Sequence, residues 1–96
     1  MASYVLLGSF TDQGIRGIKD GAKRAKAAAE KAAKFGVKLK DIYTTLGQYD
    51  LVVLAEAPDD AAVSALSLSI AAEGNVRFQT LRAFTNEERD RILDKL

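Results

Sequence analysis

The chain has 96 residues, 48% of them hydrophobic and 28% charged, which suits one globular domain and is too short for two separate cores. It contains no cysteine and no histidine, which excludes disulfide scaffolds, thiolate metal sites, imidazole bases and histidine-ligated haem, copper or zinc. The 14 basic and 13 acidic residues leave a net charge of +1, so the total charge does not favour a nucleic acid as partner.

No segment has the character of a membrane anchor or a leader peptide. The longest uninterrupted apolar run, Leu51–Ala55, is far shorter than the ~20 residues that span a bilayer. Residues 1–4 carry no positive side chain ahead of the first apolar run, although a secretory signal peptide needs one there. We therefore expect a soluble cytoplasmic protein that has no membrane partner.

The chain begins with a short strand and a long alanine-rich helix. Tyr4–Phe10 is rich in β-branched and aromatic residues, as strands are, and Thr11 or Asp12 can cap a following helix. We predict that helix over 13–34, with Gly36 as its left-handed stop. Apolar residues recur on one face at spacings of three and four: Ile15, Ile18, Ala22, Ala25, Ala29 and Ala32. Because alanine is small, we expect this face to lie close on the element that it covers.

Three glycines weaken the first half of this helix: Gly14, Gly17 and Gly21. Each costs up to about 1 kcal/mol relative to alanine. Gly17 and Gly21 lie off the alanine face, which leaves room there for close contact with another backbone or a ligand.

The middle of the chain predicts a β-hairpin. The second strand covers 37–46, and its imperfect alternation of apolar residues predicts a bend or bulge near Lys40–Asp41. Gly47–Gln48 turns the chain into a third strand over 49–57. Pro58 ends that strand because it cannot donate to a strand ladder.

A second helix and a fourth strand follow. Asp59–Asp60 suits a helix start, by capping and by its charge on the helix dipole. We predict this helix over 61–73, ended by Gly74, and the strand over 76–84.

The last segment predicts a third helix. Thr85 and Glu88 have the Thr-x-x-Glu spacing of a capping box, which starts a helix over 86–95. The order β-α-β-β-α-β-α is that of a split pair of βαβ units with an extra C-terminal helix. Such a chain folds as a ferredoxin-like α+β domain, with four antiparallel strands and two helices on one face. No linker or repeat interrupts residues 1–96, so we expect a single domain.

The predicted sheet has apolar side chains on both faces. In the third strand Leu51, Val53 and Ala55 lie on one side, and Val52 and Leu54 lie on the other. A face in contact with water would alternate to polar residues. A second copy of the sheet, packed about 10 Å away, would cover it and give a dimeric α/β barrel about a two-fold axis. The alternative is a monomer whose C-terminal helix wraps under the sheet.

The hairpin turn carries a family signature. Gly47-Gln48-Tyr49-Asp50 fits the pattern G-x-Y-D, and an apolar run and the sequence Glu56-Ala57-Pro58-Asp59-Asp60 follow it. With the opening strand and the Gly17-containing helix, the whole chain resembles the GYD domain family. The resemblance implies a ferredoxin-like fold of the dimeric α+β barrel type and implies no settled activity. The structural relatives of that family include cofactor-independent monooxygenases, haem enzymes and isomerase-like proteins.

The candidate ligand-binding residues surround this turn: Tyr43, Gln48, Tyr49 and Asp50. In a functional interpretation, the tyrosine rings line a cavity, their hydroxyls orient an aromatic or carbonyl ligand, and Asp50 is an anchor or general base at its mouth. In a structural interpretation, Asp50 accepts backbone hydrogen bonds that hold the hairpin, and the tyrosines pack across the strands.

Other charged residues give weaker signals. Glu56 lies about 20 Å along the strand from Asp50, at ~3.3 Å per residue, so the two cannot form the carboxylate pair of a glycosidase within one subunit. Arg77 and Arg82 on the fourth strand are candidates to pair with these carboxylates, and solvent or another ion pair is the simpler interpretation for both.

The first helix has a basic face. Residues 12–35 carry seven basic and three acidic side chains, and five of the cations lie within about 80° of arc: Arg16, Lys19, Lys23, Lys26 and Lys34. Phosphates could bind there, but no aromatic side chain is present to stack on bases, so we interpret the face as solvated. The chain from Leu51 onward has a net charge of −3, and contact between unlike faces of two copies is a route to higher oligomers.

We predict a small homodimeric or higher-order barrel, with no cofactor, no metal and no catalytic residue. It binds a small apolar or aromatic molecule, or acts as a structural or regulatory partner. The alternative is a cofactor-independent enzyme, similar to a monooxygenase or an isomerase, in which Asp50 is the base and Tyr49 or Tyr43 orients the substrate.

Overall fold

The computed structural model describes all 96 residues as one four-stranded sheet with helices. The strands are β1 (Ala2–Phe10), β2 (Lys38–Thr44), β3 (Leu51–Ala57) and β4 (Val76–Ala83). The helices are α1 (Asp12–Arg16), α2 (Gly21–Lys34), α3 (Asp60–Ala71) and α4 (Asn86–Leu93), with a 3₁₀ turn over Ile18–Asp20. The sheet order is β2-β3-β1-β4, and all neighbouring strands are antiparallel. The predicted α+β arrangement with its extra C-terminal helix is confirmed.

Local sequence signals set most of the helix boundaries. The side chain of Asp59 caps α3, and Thr85 and Glu88 form the predicted capping box of α4. Gly36 and Gly74 have φ angles of 72° and 88°. Both are the predicted left-handed stops, a conformation in which glycine has no steric penalty.

The prediction of one continuous first helix is wrong. Gly17 ends α1, and a 3₁₀ turn separates it from α2, because glycine is a poor helix former and two glycines flank this turn. The break changes which residues face the sheet. Ala32 is fully buried and Ala25 and Ala28 face inward, whereas four members of the predicted stripe are exposed: Ile15, Ile18, Ala22 and Ala29.

The predicted bulge in β2 is confirmed, and the hairpin is looser than predicted. Leu39 pairs with Ala55 and Asp41 pairs with Leu54, so Lys40 is the extra residue. The bulge places both Leu39 and Ile42 on the same face of the sheet, which reconciles their opposite parity. The strands end at Thr44 and begin again at Leu51, so the turn covers 45–50 rather than Gly47–Gln48 alone.

The hydrophobic core lies between α2, α3 and one face of the sheet, here called the helix face. Its largest fully buried side chains are Leu6, Val63 and Leu66. The other buried members of the cluster are Tyr4, Ala32, Val37, Val53, Ala55 and Ala57.

The opposite face of the sheet, here called the open face, carries two apolar rows. The strand registers place one row across all four strands as Tyr43, Val52, Leu7 and Gln79. The next row is Asp41, Leu54, Val5 and Leu81. Helix α4 makes no extensive contact with the sheet, so it does not wrap under this face. No helix is both long enough and apolar enough to cross a membrane.

Candidate functional site

Asp50 ties the hairpin turn to β1. Its Oδ2 accepts a hydrogen bond from the backbone N–H of Phe10 at 2.9 Å. Its own N–H donates to the carbonyl oxygen of Gly8 at 2.8 Å, and its carbonyl oxygen accepts from the N–H of Thr45 at 2.8 Å. This geometry matches the structural interpretation, in which Asp50 holds the hairpin.

Tyr49 crosses the open face toward β4. Its hydroxyl donates to Oε1 of Gln79 at 2.6 Å, and its carbonyl oxygen accepts from the hydroxyl of Thr45 at 2.6 Å. Since Gln79 pairs with Leu7 on β1, the tyrosine ring lies over the end of the first apolar row. Gln79 had no signal in the sequence, because it is a strand glutamine 30 positions from its partner.

Tyr43 and Gln48 have no hydrogen-bonded partner side chain. Tyr43 is 54% exposed on the open face opposite Val52, and Gln48 is exposed in the turn. The structure therefore brings all four candidate residues to the β2–β3 end of the sheet. They do not line either of the two main clefts of the chain.

The larger cleft lies on the helix face, beneath α2, with a volume of about 240 Å³. Its walls include Ala25, Ala28, Leu39, Val53 and Phe78. The expectation that the alanine face lies close on the sheet is therefore wrong for this part of α2. The short side chains leave the space between helix and strands unfilled.

Arg82 links α4 to the sheet. Its guanidinium pairs with Glu88 at 3.0 Å and lies over the rings of Phe84 and Tyr4, 4.6 and 5.6 Å from their centroids. The Thr85 backbone N–H and the Arg82 guanidinium lower the pKa of Glu88 to about 2, because both stabilise the charged carboxylate. The ion pair is the outcome that the sequence favoured for Arg82.

Tyr4 makes a short hydrogen bond that the sequence did not predict. It is only 3% exposed, and its hydroxyl donates to Oδ1 of Asp60 at 2.5 Å. The hydrogen bond to Asp60, together with burial, raises the pKa of Tyr4 above its usual value, because both favour the neutral phenol. The bond fastens the start of α3 to the sheet.

The basic face of α1 and α2 is mostly unpaired. Lys31 pairs with Glu73 at 3.2 Å, but the five cations of the predicted arc are exposed and make no ion pair. Glu56 pairs with Lys40 at 3.9 Å, and Arg77 is exposed. No group of three or more acidic side chains is placed to hold a metal ion.

The family model of the GYD domain matches residues 4–93. The chain belongs to the GYD domain family. The resemblance carried by Gly47–Asp50 is thereby confirmed over nearly the whole chain. The glutamine synthetase and cystathionine beta-lyase binding protein of Thermus thermophilus is 33% identical to this GYD domain over 84 residues. The match covers 86% of the domain and 88% of that protein.

Solved structures share the fold of this GYD domain. A feast or famine regulatory protein from M. tuberculosis, complexed with L-methionine, matches 90% of the domain with a TM-score of 0.65 and 17% identity. The domain covers 52% of that regulator, about half its length. A second Thermus thermophilus structure matches 88% of the domain and 95% of its own chain, with a TM-score of 0.57 and 24% identity. These likenesses confirm the ferredoxin-like fold.

Proposed function

We propose that this GYD domain is a homodimeric binding protein that docks on metabolic enzymes and catalyses no reaction itself. The observation that carries the proposal is the open face of the sheet, whose two apolar rows are covered by no element of the chain. A continuous apolar patch of this kind on a soluble domain marks an interaction surface.

A second copy is the occupant that fits this face best. Polar residues flank the two apolar rows at each end of the strands, with Ser9 and Arg77 at one end and Ser3, Glu56 and Lys38 at the other. An apolar centre with a polar rim is the usual composition of a subunit interface. A flat sheet face is also self-complementary, since two sheets pack about 10 Å apart with interdigitating side chains.

The proposed partner comes from the 33% identical relative, which binds glutamine synthetase and cystathionine beta-lyase. The match covers more than four-fifths of both chains. We therefore propose that this domain binds one of these two enzymes. In the dimer the open face is occupied, so the helical surfaces remain free for the enzyme.

The geometry around Asp50 does not favour an enzyme. Its carboxylate already accepts the N–H of Phe10, whereas a general base needs a free lone pair directed at a substrate proton. The small-molecule site predicted at Tyr43, Gln48, Tyr49 and Asp50 belongs to the dimer in this proposal, since a second sheet would cover the exposed ring of Tyr43 and close the space beside Tyr49.

The test is a calorimetric titration of the domain with purified glutamine synthetase, and separately with cystathionine beta-lyase, from the same organism. We expect saturable binding to at least one of them. Asp50→Asn is the control, because asparagine keeps an oxygen that can accept the N–H of Phe10, and its binding should match the wild type. Absence of binding to both enzymes would contradict the proposed partner, and an Asp50-dependent turnover would contradict the non-catalytic role.

A further inference from the structure

We propose that the cleft beneath α2 binds a small carboxylate with an apolar tail. The cleft lies within one chain, on the opposite side of the sheet from the open face. The inference therefore does not depend on dimer formation or on an enzyme partner.

The walls of the cleft are apolar and its interior is empty. Alanines of α2 form its roof, and Leu39, Val53 and Phe78 are among the residues of its floor. A Cβ atom at Gly21 would meet no other atom within 4 Å, so the space extends to the start of α2. Apolar cavities of this kind stay dry, and they bind apolar molecules of matching size.

The mouth of the cleft is positively charged. Arg24 lines it and uses Nη1 to donate to the carbonyl oxygen of Gly14 at 2.9 Å. It pairs with no carboxylate of the chain. Glu73 also lines the mouth, but Lys31 neutralises it.

The guanidinium of Arg24 is held in place by its surroundings. A Cβ atom at Gly17 would lie 2.1 Å from Nη2 of Arg24, so the guanidinium occupies space that only glycine leaves free. A guanidinium has five N–H donors, and the single bond to Gly14 leaves the others available. Arginine binds carboxylates through two parallel hydrogen bonds, a charge-assisted geometry that an amide cannot match.

The volume sets the size of the ligand. With ~30 Å³ as the space of one water molecule, a cleft of about 240 Å³ holds about eight non-hydrogen atoms. A branched aliphatic acid such as 4-methylpentanoate has this size, whereas a long fatty acid would extend far outside the walls.

The experiment is an NMR titration of the ¹⁵N-labelled domain with 4-methylpentanoate and with its neutral amide. We expect saturable shifts at α2 and β3 with a Kd of about 1 mM or tighter for the acid, and binding about tenfold weaker for the amide. Arg24→Gln should remove the preference for the acid. Equal binding of acid and amide by the wild type would overturn the assignment of Arg24.

A matched pair of variants tests the location. Ala28→Leu places a larger side chain in the cleft and should abolish binding while raising the melting temperature. Ala29→Leu adds the same atoms on the exposed side of α2 and should leave binding unchanged. If Ala28→Leu bound the acid as well as Ala29→Leu does, or lowered the melting temperature, the cleft would not be the site.

Discussion

Gly14 shows how one residue sets the distance between α1 and the sheet. It is buried in α1, where the carbonyl oxygen of Asn75 accepts the N–H of Thr11 at 3.1 Å. A Cβ atom at Gly14 would lie 1.9 Å from that oxygen. Because both partners are backbone, neither can move aside cheaply.

Gly14→Ala should therefore destabilise the domain by about 1–3 kcal/mol, the usual cost of forcing extra atoms into a packed site. Gly21→Ala is the control, since a Cβ there meets nothing within 4 Å and alanine adds up to about 1 kcal/mol of helix propensity. Urea denaturation measures both free energies of unfolding. Equal stability of the two variants would contradict the close approach at Gly14.

Tyr4 makes a stability contribution that depends on alkaline pH. Its pKa is raised in the folded state by Asp60 and by burial, so its contribution is complete below its unfolded pKa of 10.0 and is lost as pH rises through the folded value. Tyr4→Phe should cost about 1 kcal/mol at neutral pH, the net value of one hydrogen bond. The difference between wild type and variant should shrink above pH 10.0. A constant difference measured from pH 7 to about 11 would show that the hydroxyl does not titrate with folding.

At the scale of secondary structure, α4 is held mainly by its first turn. Glu88 accepts the N–H of Thr85 and pairs with Arg82, while the helix makes no extensive contact with the sheet. The charge of Glu88 therefore controls how firmly α4 is fixed.

The depressed pKa of Glu88 gives a prediction at acid pH. Its pKa falls from 4.5 to about 2, so its contribution is complete above 4.5 and is lost as pH falls through 2. Glu88→Gln keeps a capping acceptor but removes the charge. We expect it to be less stable than wild type at pH 6 and equally stable near pH 2, as measured by thermal unfolding. Glu87→Gln, an exposed neighbour in the same turn, should show no such convergence.

The elements that the sequence predicted correctly depend on local signals. The bulge at Lys40, the capping box at Thr85 and the left-handed stops at Gly36 and Gly74 each follow from a few adjacent residues. The break after Gly17 was not predicted because the apolar spacing continues through it.

The contacts of the site were harder to predict than the fold. Tyr49 bonds to Gln79, and Tyr4 bonds to Asp60, at separations of 30 and 56 residues, and only the sheet register brings such pairs together. The cleft beneath α2 depends on how far the helix stands from the strands, a distance that composition alone does not determine.

At the scale of the whole molecule, the two sides of the sheet have different roles. The helix face encloses the core and the cleft with its positive mouth, and the open face leaves two apolar rows uncovered. A chain of 96 residues has little core of its own, since small domains bury a smaller fraction of their surface. Pairing of two open faces would enlarge the buried surface without lengthening the chain.

Sedimentation velocity of the purified domain tests this central claim most directly. We expect the wild type to sediment as a dimer, and Leu7→Lys, at the centre of an apolar row, to sediment as a folded monomer. Leu68→Lys is the control, because Leu68 is 71% exposed on α3 and should leave the dimer intact. A wild type that remains monomeric at every concentration, with the same circular dichroism as the Leu7→Lys variant, would contradict the account.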